Sequence, residues 1–240
     1  MKPSLPAAIL IATTLALALP AHAGQTISLL GNDTPAFSDG DSLALLDFTS
    51  QLVGPAPFDA LDGSDLFENF NVSYTHSYTP IPITEIITSA TLQIGLYEHE
   101  GGSVGAATDG SGDVVTLADE QLDFYSVEGT SVKSELIAAG FEDGGQGLNN
   151  EYNEYTITLP MSLYPDLADG SAFVELALKG PVFSPAVLVF LDDIVNDFNG
   201  AGILFSKLTI NTVPIPEPTT ATLLLTLTAL TLTPRRRLNR

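Results

Sequence analysis

Apolar and polar residues alternate with a period of two through much of the chain. Ser89–Tyr97 (SATLQIGLY) sets Ala90, Leu92, Ile94 and Leu96 on one side and Thr91, Gln93 and Gly95 on the other. Tyr155–Leu159 opposes Tyr155, Ile157 and Leu159 to two threonines, and Ala172–Lys179 opposes Ala172, Val174, Leu176 and Leu178 to Phe173, Glu175 and Lys179. Ile203–Ile210 and Phe67–Tyr74 repeat the pattern more weakly, and Val187–Leu191 reads as an apolar strand buried on both faces. Alternation at this spacing, broken by Gly, Asp, Asn and Pro clusters, predicts antiparallel strands with one buried face. One helix is predicted from about Ser131, with Val132, Leu136 and Ile137 inward and Gly140 ending it. Met161–Ala168 adds one or two helical turns. About nine or ten short strands and one short helix predict an all-β fold, an antiparallel two-sheet sandwich of jelly-roll type.

The two ends break the alternation. Lys2 precedes an uncharged apolar run, Ala7–Leu19, which closes on Pro20-Ala21-His22-Ala23. A charge, an apolar core and an A-x-A site in that order predict a signal peptide over residues 1–23, cut between Ala23 and Gly24. The core is shorter than the ~20 residues needed to span a bilayer. At the other end Pro214–Pro218 leads into Thr219–Thr233, an uncharged apolar segment predicted to be helical, and then into Arg235, Arg236, Arg237 and Arg240. Cationic residues stay on the cytoplasmic side, so both ends predict that the intervening chain lies outside.

Pro216, Glu217 and Pro218, the apolar run and the cluster Arg235, Arg236 and Arg237 together resemble the PEP-CTERM sorting signal of Gram-negative bacteria. The resemblance covers residues 214–240. It implies an exosortase, a membrane cysteine protease, as a partner that cuts near Pro216–Pro218 after signal peptidase and the secretion translocon have acted. It also implies delivery to the cell envelope or extracellular matrix. The apolar run departs from that family in being Thr-rich and free of glycine. As a helix it would reach only about 22 Å at ~1.5 Å per residue, short of a ~30 Å hydrocarbon core. Transient inner-membrane insertion therefore fits better than permanent spanning, with a plain anchor as the alternative. In the body, Ile87–Leu92, Glu151–Pro160, Leu167–Gly170 and Leu178–Pro181 resemble the central regions of other exported proteins with this tail. That resemblance bears on fold and location only.

Between the signals lies one domain, residues 24–213, long enough for a sizeable core. The chain has no cysteine, so packing rather than disulfides must hold it. The domain keeps three lysines, Lys133, Lys179 and Lys207, and every acidic residue of the 29 except Glu217. So acidic a surface repels nucleic acid, excluding that class of partner, and attracts divalent cations.

Candidate chemistry is sparse. Once His22 leaves with the signal, His76 and His99 are the only imidazoles, and neither G-x-S-x-G nor H-E-x-x-H occurs. His76 is expected to face solvent or pack on Tyr74 or Tyr78, and His99 to sit in a solvated turn. No catalytic residue is assigned, and a non-enzymatic surface or matrix role is expected. A calcium ion is the one cofactor considered, at Asp39 and Asp41 or at Asp109 and Asp113, where carboxylates flank flexible loops. Asp-Gly is equally an ordinary turn dipeptide. Two other functions stay open. One is a carbohydrate-binding module for extracellular polysaccharide, which requires Tyr97, Phe141, Tyr152 and Tyr164 to form an exposed platform. The other is a secreted hydrolase with a cleft around His99 or two facing carboxylates.

Overall fold

The computed structural model describes residues 23–63, 68–97, 106–108, 114–116, 122–141, 151–179 and 200–215. Eleven strands are found among them. They are β1 (Gly24–Gly31), β2 (Asp41–Ser42), β3 (Asn71–Ser77), β4 (Glu85–Tyr97), β5 (Ala106–Thr108), β6 (Val114–Thr116), β7 (Leu122–Val127), β8 (Thr130–Ser131), β9 (Glu151–Thr158), β10 (Ser171–Leu178) and β11 (Gly202–Pro214). One sheet runs β1-β11-β4-β9-β2, the other β3-β10-β7-β8, and β5 and β6 form a separate hairpin.

Setting aside β2 and that hairpin, the remaining eight strands nest like the two arms of one long hairpin. β1 neighbours β11, β3 neighbours β10, β4 neighbours β9 and β7 neighbours β8, every pair antiparallel. Successive pairs fall alternately into the two sheets, which is the winding of a jelly roll. The all-β sandwich expected from the alternation is the fold observed.

Alternation also fixes which faces meet. Ala90, Leu92, Ile94 and Leu96 on β4, Tyr155 and Ile157 on β9, and Ala172, Val174, Leu176 and Leu178 on β10 are all buried and join one core. Burying each of the Leu, Ile and Val side chains stabilises by about 1.5–3 kcal/mol. At its far end β4 is buried on both faces, because a second, smaller cluster of Phe48, Tyr97, Tyr152, Leu204 and Phe205 covers the outside of the sheet there.

Among the described residues there are three short helices, where one helix and one or two further helical turns are expected. α1 (Leu45–Thr49) brings Phe48 onto Tyr97, their rings stacked with centroids 4.2 Å apart. α2 (Lys133–Ala138) buries Leu136, with Val132 just before it, whereas Ile137, expected inward, is 38% exposed. A helix of only six residues presents a single stripe to the core, and Ile137 lies off that stripe. α3 (Tyr164–Leu167) follows a 3₁₀ turn over Met161–Leu163, the segment read as one or two helical turns. The strand expected at Val187–Leu191 lies outside the described residues.

Candidate functional site

The antiparallel register of β1 and β11 sets Gly24 opposite Thr212, so the first and last strands begin and end side by side. The Thr212 hydroxyl donates to the Glu85 carboxylate on β4, and the Ile215 amide donates to the Thr84 carbonyl at 2.7 Å. Ala23, the residue before the proposed cut, is exposed just ahead of β1. The start of β1 and the end of β11 therefore lie at the same pole of the sandwich. Of the sorting motif, Pro216, Glu217, Pro218, Arg235, Arg236 and Arg237 lie outside the described residues.

That pole is closed by the connection between β3 and β4 and by the segment between β9 and β10. The Tyr78 amide donates to the Gly170 carbonyl at 2.9 Å and the Ile81 amide to the Ala168 carbonyl at 3.0 Å. The Tyr78 hydroxyl reaches the carbonyls of Leu167 and Ser171 at 2.8 and 2.9 Å, and burial, with Asp169 and Glu128 nearby, pushes its pKa up. Between these segments opens a groove of about 370 Å³, lined mainly by apolar side chains.

His76 is not at the surface. It is fully buried on β3, edge-on to Tyr74 with centroids 5.8 Å apart, so of the two environments expected only the packing on Tyr74 is found. A period-2 pattern sets His76 on the same face as Val72 and Tyr74, which is the core face. Its Nδ1 lies 3.1 Å from Ser28 Oγ on β1 and its Nε2 3.0 Å from Ser206 Oγ on β11. Because Tyr74 donates to Ser206 and Ser28 donates to the Ser77 carbonyl, one neutral tautomer satisfies the whole chain. In it Nδ1–H donates to Ser28 while Nε2 accepts from Ser206. Burial holds the imidazole pKa down to about 4 and pushes that of Tyr74 up. Both serines are buried, so this is a clasp between sheets rather than a nucleophile and base open to substrate.

The aromatic platform is not formed. Tyr97, Phe141 and Tyr152 are each 0% exposed, and only Tyr164 reaches the surface in part. Tyr97 donates to the Leu43 carbonyl, Tyr152 donates to Glu154 and takes an edge contact from Phe37, and Phe141 tilts against Tyr155. Tyr97 and Tyr152 are covered by Phe48 of α1 and by Phe37, and Phe141 follows α2 into the main core, placements that the local pattern does not reveal.

Of the acidic candidates, Asp39 Oδ1 accepts from the Glu154 amide at 2.7 Å and Asp41 Oδ2 from the Ser38 amide at 2.7 Å. The first bond ties the turn before β2 to β9 and the second closes that turn on itself, the turn role that Asp-Gly equally suggests. Among the described residues no three His, Cys, Asp or Glu side chains gather as a metal site. Asp109, Asp113 and His99 lie outside the described residues. No protein-family model matches the chain, and no curated protein matches it.

Proposed function

We propose that the protein is a non-enzymatic component of the cell surface or extracellular matrix. It is exported by residues 1–23 and sorted through the PEP-CTERM-like tail, residues 214–240. The observation that carries this reading is the pairing of Gly24 with Thr212. The folded sandwich begins at the residue after the proposed signal-peptidase cut and its last strand ends at Pro214, just before Pro216-Glu217-Pro218. Pro214 still pairs with Glu85 and Ile215 is bonded to Thr84, and the Pro-Glu-Pro sequence after them is stiff and ill suited to continue a strand.

Among the described residues nothing assembles a nucleophile, a base and an open cleft, and the one histidine there is sealed between sheets. The acidic surface keeps such a domain soluble and unattached to anionic polymers outside the cell. In this role the sandwich is a stable body displayed by its tail, and exosortase-like processing determines where it ends up.

The test is mass spectrometry of the protein purified from its native host. A mature chain starting at Gly24 and ending near Pro216–Pro218 is expected. An intact Met1, or an intact Arg240 recovered only in the membrane fraction, would overturn the sorting reading in favour of no export or of a plain anchor.

A further inference from the structure

Isolated exposed apolar residues are common on folded proteins and need no explanation. At the pole where β11 ends, however, four large ones are found. Ile83 is 96% exposed, Met161 78%, Ile86 49% and Ile215 44%. Ile83, Ile86 and Met161 line the groove of about 370 Å³ together with Ile81, Ile87 and Tyr164. The groove walls are fixed, since Ile81 is bonded to Ala168 and the Glu85 amide donates to the Pro82 carbonyl at 2.9 Å. This is a preformed apolar face on a chain whose acids far outnumber its bases.

The position of the tail says what can cover it. Ile215 is bonded to Thr84, which stands between the groove residues Ile83 and Glu85. Between Ile215 and the apolar segment that starts at Thr219 stand only Pro216, Glu217 and Pro218. Four Cα–Cα steps reach at most about 14 Å at ~3.6 Å each. The headgroup layer is itself about 5–7 Å deep on each side of the hydrocarbon. A segment short of the full hydrocarbon thickness draws its flanks further into that layer. With Thr219–Thr233 inserted, the pole is thus tethered at the membrane surface with its apolar side chains facing it.

We propose that the groove around Ile83, Ile86 and Met161 docks on the surface of a lipid bilayer while the tail is inserted. The proposal rests on the reading of Thr219–Thr233 as a membrane-inserted segment. Apolar side chains at this depth gain from leaving water. Glu85 lines the groove, and the exposed Asp166 and Asp169 adjoin its lining residues Pro165 and Ala168 in the chain, so the surface it fits carries neutral headgroups; anionic ones repel it. Docking would hold Pro216–Pro218 at the depth where a membrane protease works, and cleavage would free the pole.

The absence of cysteine makes the test direct. A polarity-sensitive fluorophore is attached at Met161→Cys, or at Leu46→Cys as a control. Leu46 is also 78% exposed but lies on α1 at the opposite pole. Full-length chain is reconstituted into phosphatidylcholine vesicles and floated on a density gradient. Blue-shifted emission and severalfold weaker iodide quenching at position 161, unchanged at position 46 and diminished by added phosphatidylglycerol, is the expected result. Chain that floats with the vesicles while position 161 stays as quenchable as position 46 would overturn the docking and leave the tail reading intact. Chain that fails to float would overturn both. Equal protection at position 161 without vesicles would also overturn it. The groove is then filled by the chain's own tail if the protection is independent of concentration, and by a second copy if it is not.

Discussion

His76 Nε2 lies 3.0 Å from Ser206 Oγ, which joins β3 of one sheet to β11 of the other through the middle of the sandwich. The imidazole is neutral there, and its other nitrogen is bonded to Ser28 on β1. Adding a proton would put a donor where Ser206 already donates, and the hydroxyls in contact supply no negative charge to offset it. The pKa is lowered to about 4 for this reason of burial. Between pH 4 and the ordinary imidazole value of about 6.5 the unfolded chain binds a proton that the folded one refuses. The contribution is fully present above about pH 6.5 and is lost as pH falls toward 4, amounting to ~3 kcal/mol across the window. Urea unfolding at a series of pH values should show that decline, and His76→Gln should be less stable at neutral pH yet lose this part of the pH slope. A wild-type slope unchanged in His76→Gln would refute the assignment.

Gly31 ends β1 with φ of +77°, in the left-handed region, and a Cβ there would strike the Leu204 carbonyl and come within 2.9 Å of Phe205 Cα and Phe58 Cδ1. Two of these atoms are backbone of β11, the paired strand, and cannot step aside cheaply. Gly31→Ala should destabilise by about 3 kcal/mol, from strained backbone and displaced packing together. Gly129 also has positive φ (+70°) but open space around it, so Gly129→Ala should cost about 1 kcal/mol through backbone alone. Thermal melts of the two variants side by side separate the clash from the dihedral cost.

The Tyr125 hydroxyl is buried with no hydrogen-bond partner among the described residues, and burial raises its pKa. Its ring fills the main core between β7 and the opposite sheet. Replacing both hydroxyl and its missing bond by hydrogen removes a desolvation penalty and keeps the ring. Tyr125→Phe is expected to leave stability unchanged or raise it by about 1 kcal/mol. A loss of more than that in chemical denaturation would mean the hydroxyl has a partner.

Sorting should depend on the tail and be indifferent to the core. On the proposed sorting reading, Arg235, Arg236 and Arg237 changed together to Glu remove the cationic stop that would keep this end cytoplasmic. The variant should be exported and folded but released uncut into the medium, with Arg240 still present in its mass. Retention at the surface with the normal mature mass would show that the cluster is dispensable.

The alternating stretches were legible because strand faces are a local, period-2 property. Ala90, Leu92, Ile94 and Leu96, and likewise Ala172, Val174, Leu176 and Leu178, went to the core as their spacing demands. The same rule applied to Val72, Tyr74 and His76 would have buried the histidine; its polarity argued the other way. Core polarity is tolerated only because Ser28 and Ser206 arrive from strands far away in sequence. The buried Tyr97 and Tyr152 were illegible for a similar reason, since α1 and Phe37 cover them from another part of the chain.

The sequence by itself determined an acidic, cysteine-free, all-β body between two apolar end segments, because composition and periodicity need no partner to be read. The tertiary structure decided which strands are neighbours. Nested pairing joins residues as distant as Gly24 and Thr212, brings both ends to one pole, gathers Ile83, Ile86 and Met161 around the departing chain, and seals His76 between sheets. Each of these is a contact between segments remote in sequence, fixed by the packing of one sheet on the other rather than by any local preference.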